Sequence, residues 1–286
     1  MPRGLDHIIH AVRDLDAAAA LYRRLGFTVG ARNRHPWGTH NHIVQLPGFF
    51  VELLTVAEPE KLGSDGFSML FGSFNRTFLA AREGLSYLIL ESRDAAADAV
   101  KFRAAGIAAS DALHFEREGT RPDGATVKVG FSLAFARDAL AEIGFATCQQ
   151  HFPENFWSPA LQKHSNGVIG IAGTAIVAEN PSDHHIFLSA FTGERELVAT
   201  SSGITAHTPR GDVTIMDPAA FHAHFGIAAP ASPDKARLAA LRFAVPDRQA
   251  LARTLGANGV SFDLHMDQVI VGPETAMGAV LVFAAQ

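Results

Sequence analysis

Leu5-Asp6-His7-Ile8-Ile9-His10-Ala11-Val12 opens the chain as a short apolar run rich in β-branched residues, a pattern suited to a strand. Asp14 is positioned to cap a helix, Ala17 to Leu25 are strong helix formers with Leu21 and Leu25 on one face, and Gly26 supplies the stop. Beyond them come Phe27-Thr28-Val29, a polar stretch with Pro36 and Gly38, His42 to Leu46, a turn at Pro47-Gly48, and Phe49 to Val56. The unit is a βαβββ module.

The same order recurs along the chain. Leu85 to Glu91 is a strand, Asp94 caps a helix through Val100 and Phe102, Ala105-Gly106-Ile107 ends it, and Val127–Ala134 and Gly144–Gln150 supply later strands. In a looser third copy, Gly167 to Val177 is a strand. Ser182 or Asp183 opens a helix through His184 to Phe191, Thr192-Gly193 closes it, and strands follow near residues 196–200 and 212–216. The fourth copy has a strand at Leu238–Val245, a helix opened by Asp247 through Leu251 and Leu255, and strands at Val260–Leu264, Gln268–Val271 and Ala279–Phe283. Two insertions interrupt the period: Glu58–Glu83, with an extra helix around Phe67–Arg82, and Phe152–Asn166, which reads as the connection between halves. The expected fold class is α+β, with four βαβββ modules paired into two domains, residues 1–160 and 161–286.

Composition narrows the functional classes. The 286 residues are 48% apolar and 19% charged, with net charge −5 and a sequence pI near 6.3, which argues against disorder and nucleic-acid binding. The longest apolar run, Gly167 to Ala178, is too short to span a bilayer, so no membrane partner is expected. The lone Cys148 cannot form an internal disulfide, and the N-terminus lacks a secretory pattern, so the expected compartment is the cytoplasm. Fourteen histidines against two tryptophans and two tyrosines motivate a search for a metal site.

Asp6-His7-Ile8, Val12-Arg13-Asp14-Leu15, Leu25-Gly26-Phe27 and Phe50-Val51-Glu52-Leu53-Leu54 resemble the vicinal oxygen chelate (VOC) superfamily, which includes glyoxalase I, extradiol dioxygenases and bleomycin-resistance proteins. Gly38-Thr39-His40-Asn41, Cys148-Gln149-Gln150-His151 and Asn166-Gly167 are similar to its glyoxalase-like domain proteins. The resemblance implies paired modules forming a cup around one metal ion. It also places His7 at the first-strand histidine and Glu52 at the fourth-strand glutamate. The second module departs from the pattern, because Tyr87 stands where a histidine is common.

Two donors are too few for a divalent ion. The last strand of the second module offers a third, with His151 the first choice and Gln150 the competitor, because imidazole suits iron, zinc or nickel better than an amide does. The expected ligand set is therefore His7, Glu52 and either His151 or Gln150, holding Fe, Zn, Mn or Ni. Glu52 is also the candidate catalytic acid or base, since a carboxylate among Phe49, Phe50, Leu53 and Leu54 needs a partner. Alternation puts His10 on the face opposite His7, and puts His40 and His42 on one face with Asn41 on the other. If the histidine face points into the cup, His40 and His42 bind a polar substrate or join the metal ligands, and Tyr87 is a further substrate-contact candidate. His184-His185 reads as a solvated helix start and Cys148 as a small strand filler. The C-terminal half offers no corresponding donors: Ala240 stands at the first-strand position, and the last strand is wholly apolar. The leading expectation is a metal-dependent lyase, isomerase or dioxygenase acting on a small oxygen-bearing molecule. The alternative is a metal-free small-molecule binding protein of the bleomycin-resistance type. An assembly role is a third reading, and a homodimer is the oligomer considered.

Overall fold

The computed structural model describes residues 1–120, 124–230 and 234–285. Its first module consists of β1 (Leu5–Ala11), α1 (Leu15–Arg24), β2 (Asn33–Arg34), β3 (Thr39–Leu46) and β4 (Phe49–Val56). The Asp14 carboxylate caps α1 by accepting the Ala17 N–H at 2.9 Å. Gly26 follows the helix at φ +85°, a left-handed conformation that glycine adopts without steric cost. The strand expected at Phe27–Val29 does not form. Phe27 instead turns into the core against Tyr22 and Phe243, where burying a phenyl ring contributes about 1.5–3 kcal/mol, and pairing begins at Asn33.

The first insertion forms a π-helical stretch, Ser68–Ser73, running into α2 (Phe74–Ala81). The second module is β5 (Gly84–Glu91), α3 (Ala95–Ala104), β6 (Leu113–Thr120), β7 (Thr126–Ala136) and β8 (Gly144–Gln150). After α4 (Pro153–Phe156), the third comprises β9 (Gly170–Val177), α5 (His185–Thr192), β10 (Val198–Thr200), β11 (Gly203–Ala206) and β12 (Asp212–Met216). Following α6 (Pro218–Phe225), the fourth comprises β13 (Arg237–Val245), α7 (Arg248–Ala257), β14 (Asp263–His265), β15 (Gln268–Val271) and β16 (Val280–Ala285). β6 and β11 are not among the strands expected from the sequence.

The strands build two sheets of eight, in the orders β2-β3-β4-β1-β5-β8-β7-β6 and β10-β11-β12-β9-β13-β16-β15-β14. In each, the first strands of two modules pair antiparallel at the centre, β1 with β5 and β9 with β13, while β1 runs parallel to β4 and β13 to β16. Four βαβββ modules in two curled sheets are the α+β architecture expected from the sequence.

Alternation gives each sheet two different faces. The outer faces and their helices merge into one core spanning both halves, with Phe145 4.6 Å from Phe187 and Phe27 5.1 Å from Phe243 between ring centroids. Polar links cross the same boundary: Arg3, paired with Asp98 at 2.6 Å in its own half, donates to the Phe191 carbonyl at 2.8 Å, and His184 meets Asp138 at 2.6 Å. His184 is therefore buried rather than solvated, because a 3-10 turn at Pro181–His184 swings it toward the N-terminal half.

The inner faces differ between the halves. The C-terminal cup is plugged by α6, whose Phe221 and Phe225 are buried among Ala175, Val177, Val280 and Val282. The N-terminal cup keeps open space. Among the described residues no helix is long and apolar enough to cross a membrane.

Phe221→Ala is expected to cost about 3–5 kcal/mol of stability while leaving ligand binding in the N-terminal cup unchanged; denaturant unfolding and ligand titration of the variant check both. Burial alone would raise the Asp138 carboxyl, but hydrogen bonds from His184 and the Leu140 N–H, with the Lys235 charge, hold it below its ordinary value. Its stabilisation is thus present above the unfolded carboxylate value and is lost as pH falls through the lowered one. Asp138→Asn should cost about 1–3 kcal/mol at neutral pH and flatten that acid limb, measurable by unfolding between about pH 3 and 7.

Candidate active site

The open cup is a cavity of about 320 Å³. His7 reaches it from β1 and Glu52 from β4; since His7 is level with Phe50, and Ile9 with Glu52, the two side chains are diagonal neighbours on one face. An irregularity in the β1–β5 pairing between Leu5 and His7 brings Asp6 to the same side as His7. The Asp6 Oδ1 accepts from His7 Nδ1 at 2.5 Å, which leaves the lone pair of the neutral ring on Nε2. Phe50 stacks on the ring at 4.2 Å and fixes its plane.

From β8, Gln150 Nε2 donates to Asp6 Oδ2 at 3.1 Å, which orients the amide and leaves Gln150 Oε1 buried without a partner among the described residues. Cys148 faces the cavity two residues earlier. The ligand atoms of Asp6, His7 and Cys148 lie within 4.8 Å of one another. Burial pushes the Cys148 thiol well up, reinforced by the charges of Asp6 and Glu52.

Glu52 Oε1 accepts from Asn41 Nδ2 at 2.5 Å. Burial raises its carboxyl above the ordinary value, while His7, Asn41 and Arg117 work in the opposite sense. Arg117 enters the cavity from β6; burial lowers its guanidinium and the Glu52 charge partly offsets this. His35 is pushed down to about 3 by burial, then by the charges of Arg117 and His40, so it is neutral near pH 7. It stacks on Trp37 at 4.7 Å and bonds the Thr39 hydroxyl at 2.8 Å. The connector lines the cavity through residues 155–159 and Leu161, and Gln45 holds it twice, donating to the Phe156 carbonyl at 2.7 Å and accepting the Ser158 N–H at 2.9 Å.

The structure brings His7, Glu52 and Gln150 to one side of the N-terminal sheet and separates the other expected residues from the open space. On β3 it is Asn41, Ile43 and Gln45 that line the cavity, so His40 and His42 point the other way: His40 bonds Glu58 at 3.0 Å and His42 bonds the Gly30 carbonyl at 2.8 Å. Tyr87 faces inward, yet its hydroxyl donates to the Leu70 carbonyl and its ring packs on Phe71, Phe74 and Phe135, so it closes the base of the cup. Gly144 lies opposite Tyr87 on β8, where any side chain would strike that ring. His151 is exposed and bonds Ser132 at 2.8 Å on the outer face, because one step beyond Gln150 reverses the direction of the side chain. Asp6, Asn41, Cys148 and Arg117 are the site residues that sequence reasoning missed. Arg117 was legible in Leu113-His114-Phe115-Glu116-Arg117, whose alternating apolar positions mark a strand.

A curled sheet of two βαβββ modules, with a first-strand histidine and a fourth-strand glutamate at one cavity, defines a protein of the VOC type. The glyoxalase-like domain family profile matches residues 5–192, and the chain belongs to that family. Among solved structures it is similar to a hypothetical protein from Staphylococcus aureus, with a TM-score of 0.70, 14% identity and full coverage of both chains. It is also similar to a variant 4-hydroxymandelate synthase from Streptomyces coelicolor, with a TM-score of 0.63 and 13% identity, covering 99% of this chain and 92% of that one. A third likeness is to a fusion of a xylose isomerase-like TIM barrel with 4-hydroxyphenylpyruvate dioxygenase, with a TM-score of 0.58 and 12% identity, covering all of this chain and 49% of that one. At these identities the likeness is one of fold. No curated protein matches the sequence significantly.

With its thiol buried and held protonated, Cys148 should react with a disulfide reagent at least about tenfold more slowly in the native protein than in denaturant. Stopped-flow thiol titration in the two states measures the ratio.

Proposed function

We propose that the chain is a metal-dependent enzyme acting on a small oxygen-bearing molecule in the N-terminal cup, with Glu52 as its proton-transfer group. The observation that carries this reading is that His7 and the buried Glu52 carboxyl line the same cavity. Burial raises the Glu52 carboxyl above its ordinary value, the direction in which enzymes tune a carboxyl for general acid–base work.

The residues present fit a divalent ion. Asp6, His7 and Cys148 form a compact donor group, and the unpartnered Gln150 Oε1 is a further buried oxygen beside Asp6. His7 Nε2 would hold the ion, Glu52 would either join it as a ligand or stay free to move a proton, and Asp6 would either ligate or fix the His7 tautomer, as carboxylates do behind metal-bound histidines. Iron, zinc, manganese and nickel all accept this mixture of nitrogen and oxygen donors. When bound, such an ion polarises a substrate oxygen as a Lewis acid. Asn41 steadies one Glu52 oxygen and leaves the other free to ligate or to carry the proton, and Gln45 fixes the connector beside the cavity. Lyase, isomerase and dioxygenase chemistry all use these parts.

A second reading, a metal-free small-molecule binding protein of the bleomycin-resistance type, is favoured by one feature: eight phenylalanine and tryptophan rings line the cavity. Metal analysis separates the two. Protein purified without a histidine tag should carry one equivalent of metal, and the His7→Ala, Glu52→Ala double variant should lose it while keeping its melting temperature within a few degrees. A protein that takes up none of the four ions on reconstitution, yet binds ligand in the presence of a chelator, is the second kind. For a turnover substrate, Glu52→Gln should lower the rate by about 10²–10⁴-fold.

A further inference from the structure

Arg117 brings a positive charge into the cavity that no side chain among the described residues neutralises by direct contact. It lies on β6 opposite Val129, with Phe115 and Gly119 on the same face. Its Nε is buried without a hydrogen-bond partner, and the one acceptor its guanidinium reaches among the described residues is the Glu118 carbonyl, 3.1 Å from Nη1. Glu52 shares the cavity but is bonded to Asn41 instead. An unmet buried donor on a charged group is costly, and a planar guanidinium is matched best by the two parallel oxygens of a carboxylate.

The rest of the wall selects a flat body. Trp37 is stacked between His35 at 4.7 Å and Phe67 at 5.0 Å, both within 8° of parallel, and Phe115 meets Trp37 edge-on at 5.1 Å. Phe50 and Phe156 lie 5.0 Å apart on the side of His7. A volume of about 320 Å³ is at the small end of ligand sites, which run from about 300 to 1,000 Å³. It suits one ring and a short arm.

We infer that the cavity takes a small aromatic monocarboxylate, its carboxylate received by the Arg117 guanidinium and its ring packed on the aromatic wall around Trp37. This rests on the cavity being the working site, as proposed above. Arg117 is then the residue that sets specificity for an acid: a carboxamide of the same shape offers one oxygen and turns its NH₂ donors toward a group that can only donate.

Both tryptophans of the chain, Trp37 and Trp157, line the cavity, so intrinsic fluorescence reports its occupancy. Titration of the full-length protein with phenylacetate and with phenylacetamide should show the acid binding at least about tenfold more tightly. Arg117→Gln should abolish that preference by weakening the acid far more than the amide, and Arg117→Lys should retain part of it by keeping the charge. Equal affinity for the two probes, or a preference that survives in Arg117→Gln, overturns the assignment while leaving the cavity a ligand site. Absence of saturable quenching by either probe overturns the assignment and the reading of the cavity together.

Discussion

The antiparallel seam between β1 and β5 is the constraint on which the rest of the N-terminal half depends. It joins two modules that each have an incomplete sheet, and its register, His7 opposite Ile89 and Ile9 opposite Tyr87, decides which side chains face inward. A slip of one residue would exchange the inner set for the outer one, moving Ile8 into the cup and His7 into the helix-covered core. The irregularity between Leu5 and His7 adds the detail that matters chemically, because it sets two consecutive residues, Asp6 and His7, side by side. Gln150 ties Asp6 to the last strand of the second module, so the imidazole is oriented by contributions from both modules.

The cavity combines this rigidity with electrostatic cost. Glu52 and Arg117 share a space lined by eight phenylalanine and tryptophan rings, with Asp6 buried beside it behind His7, and unpaired charge there is destabilising. Neutral dipoles moderate that cost: Asn41 on Glu52, Gln150 on Asp6, and the Glu118 carbonyl on Arg117. None of them cancels a charge outright. Two buried amide oxygens, on Asn41 and Gln150, remain without partners among the described residues.

The architecture was legible in the sequence because strand, capped helix and glycine recur, with Asp14, Asp94 and Asp247 each accepting an N–H in the first turn of its helix. The site was only half legible. His7 and Glu52 sit on central strands, where a resemblance fixes position and alternation fixes direction. On β3 the parity was open, and Asn41 rather than His40 and His42 took the inner face. At the end of β8, one residue separates the inward Gln150 from the outward His151, and composition contains no signal that fine. β6 was overlooked because an edge strand with one solvated face reads as polar, and Arg117 was overlooked with it. Asp6 needed an irregularity in pairing that no local pattern announces.

The two halves share a blueprint but have diverged in their interiors, and α6 is the difference. With Phe221 and Phe225 filling the second cup, the aromatic volume that a guest would occupy has become part of the permanent core. Among the described residues, the cup that stays open in the first half is thus converted in the second into packing. The sealed half acts as a rigid buttress behind the seam on which the open half is hung.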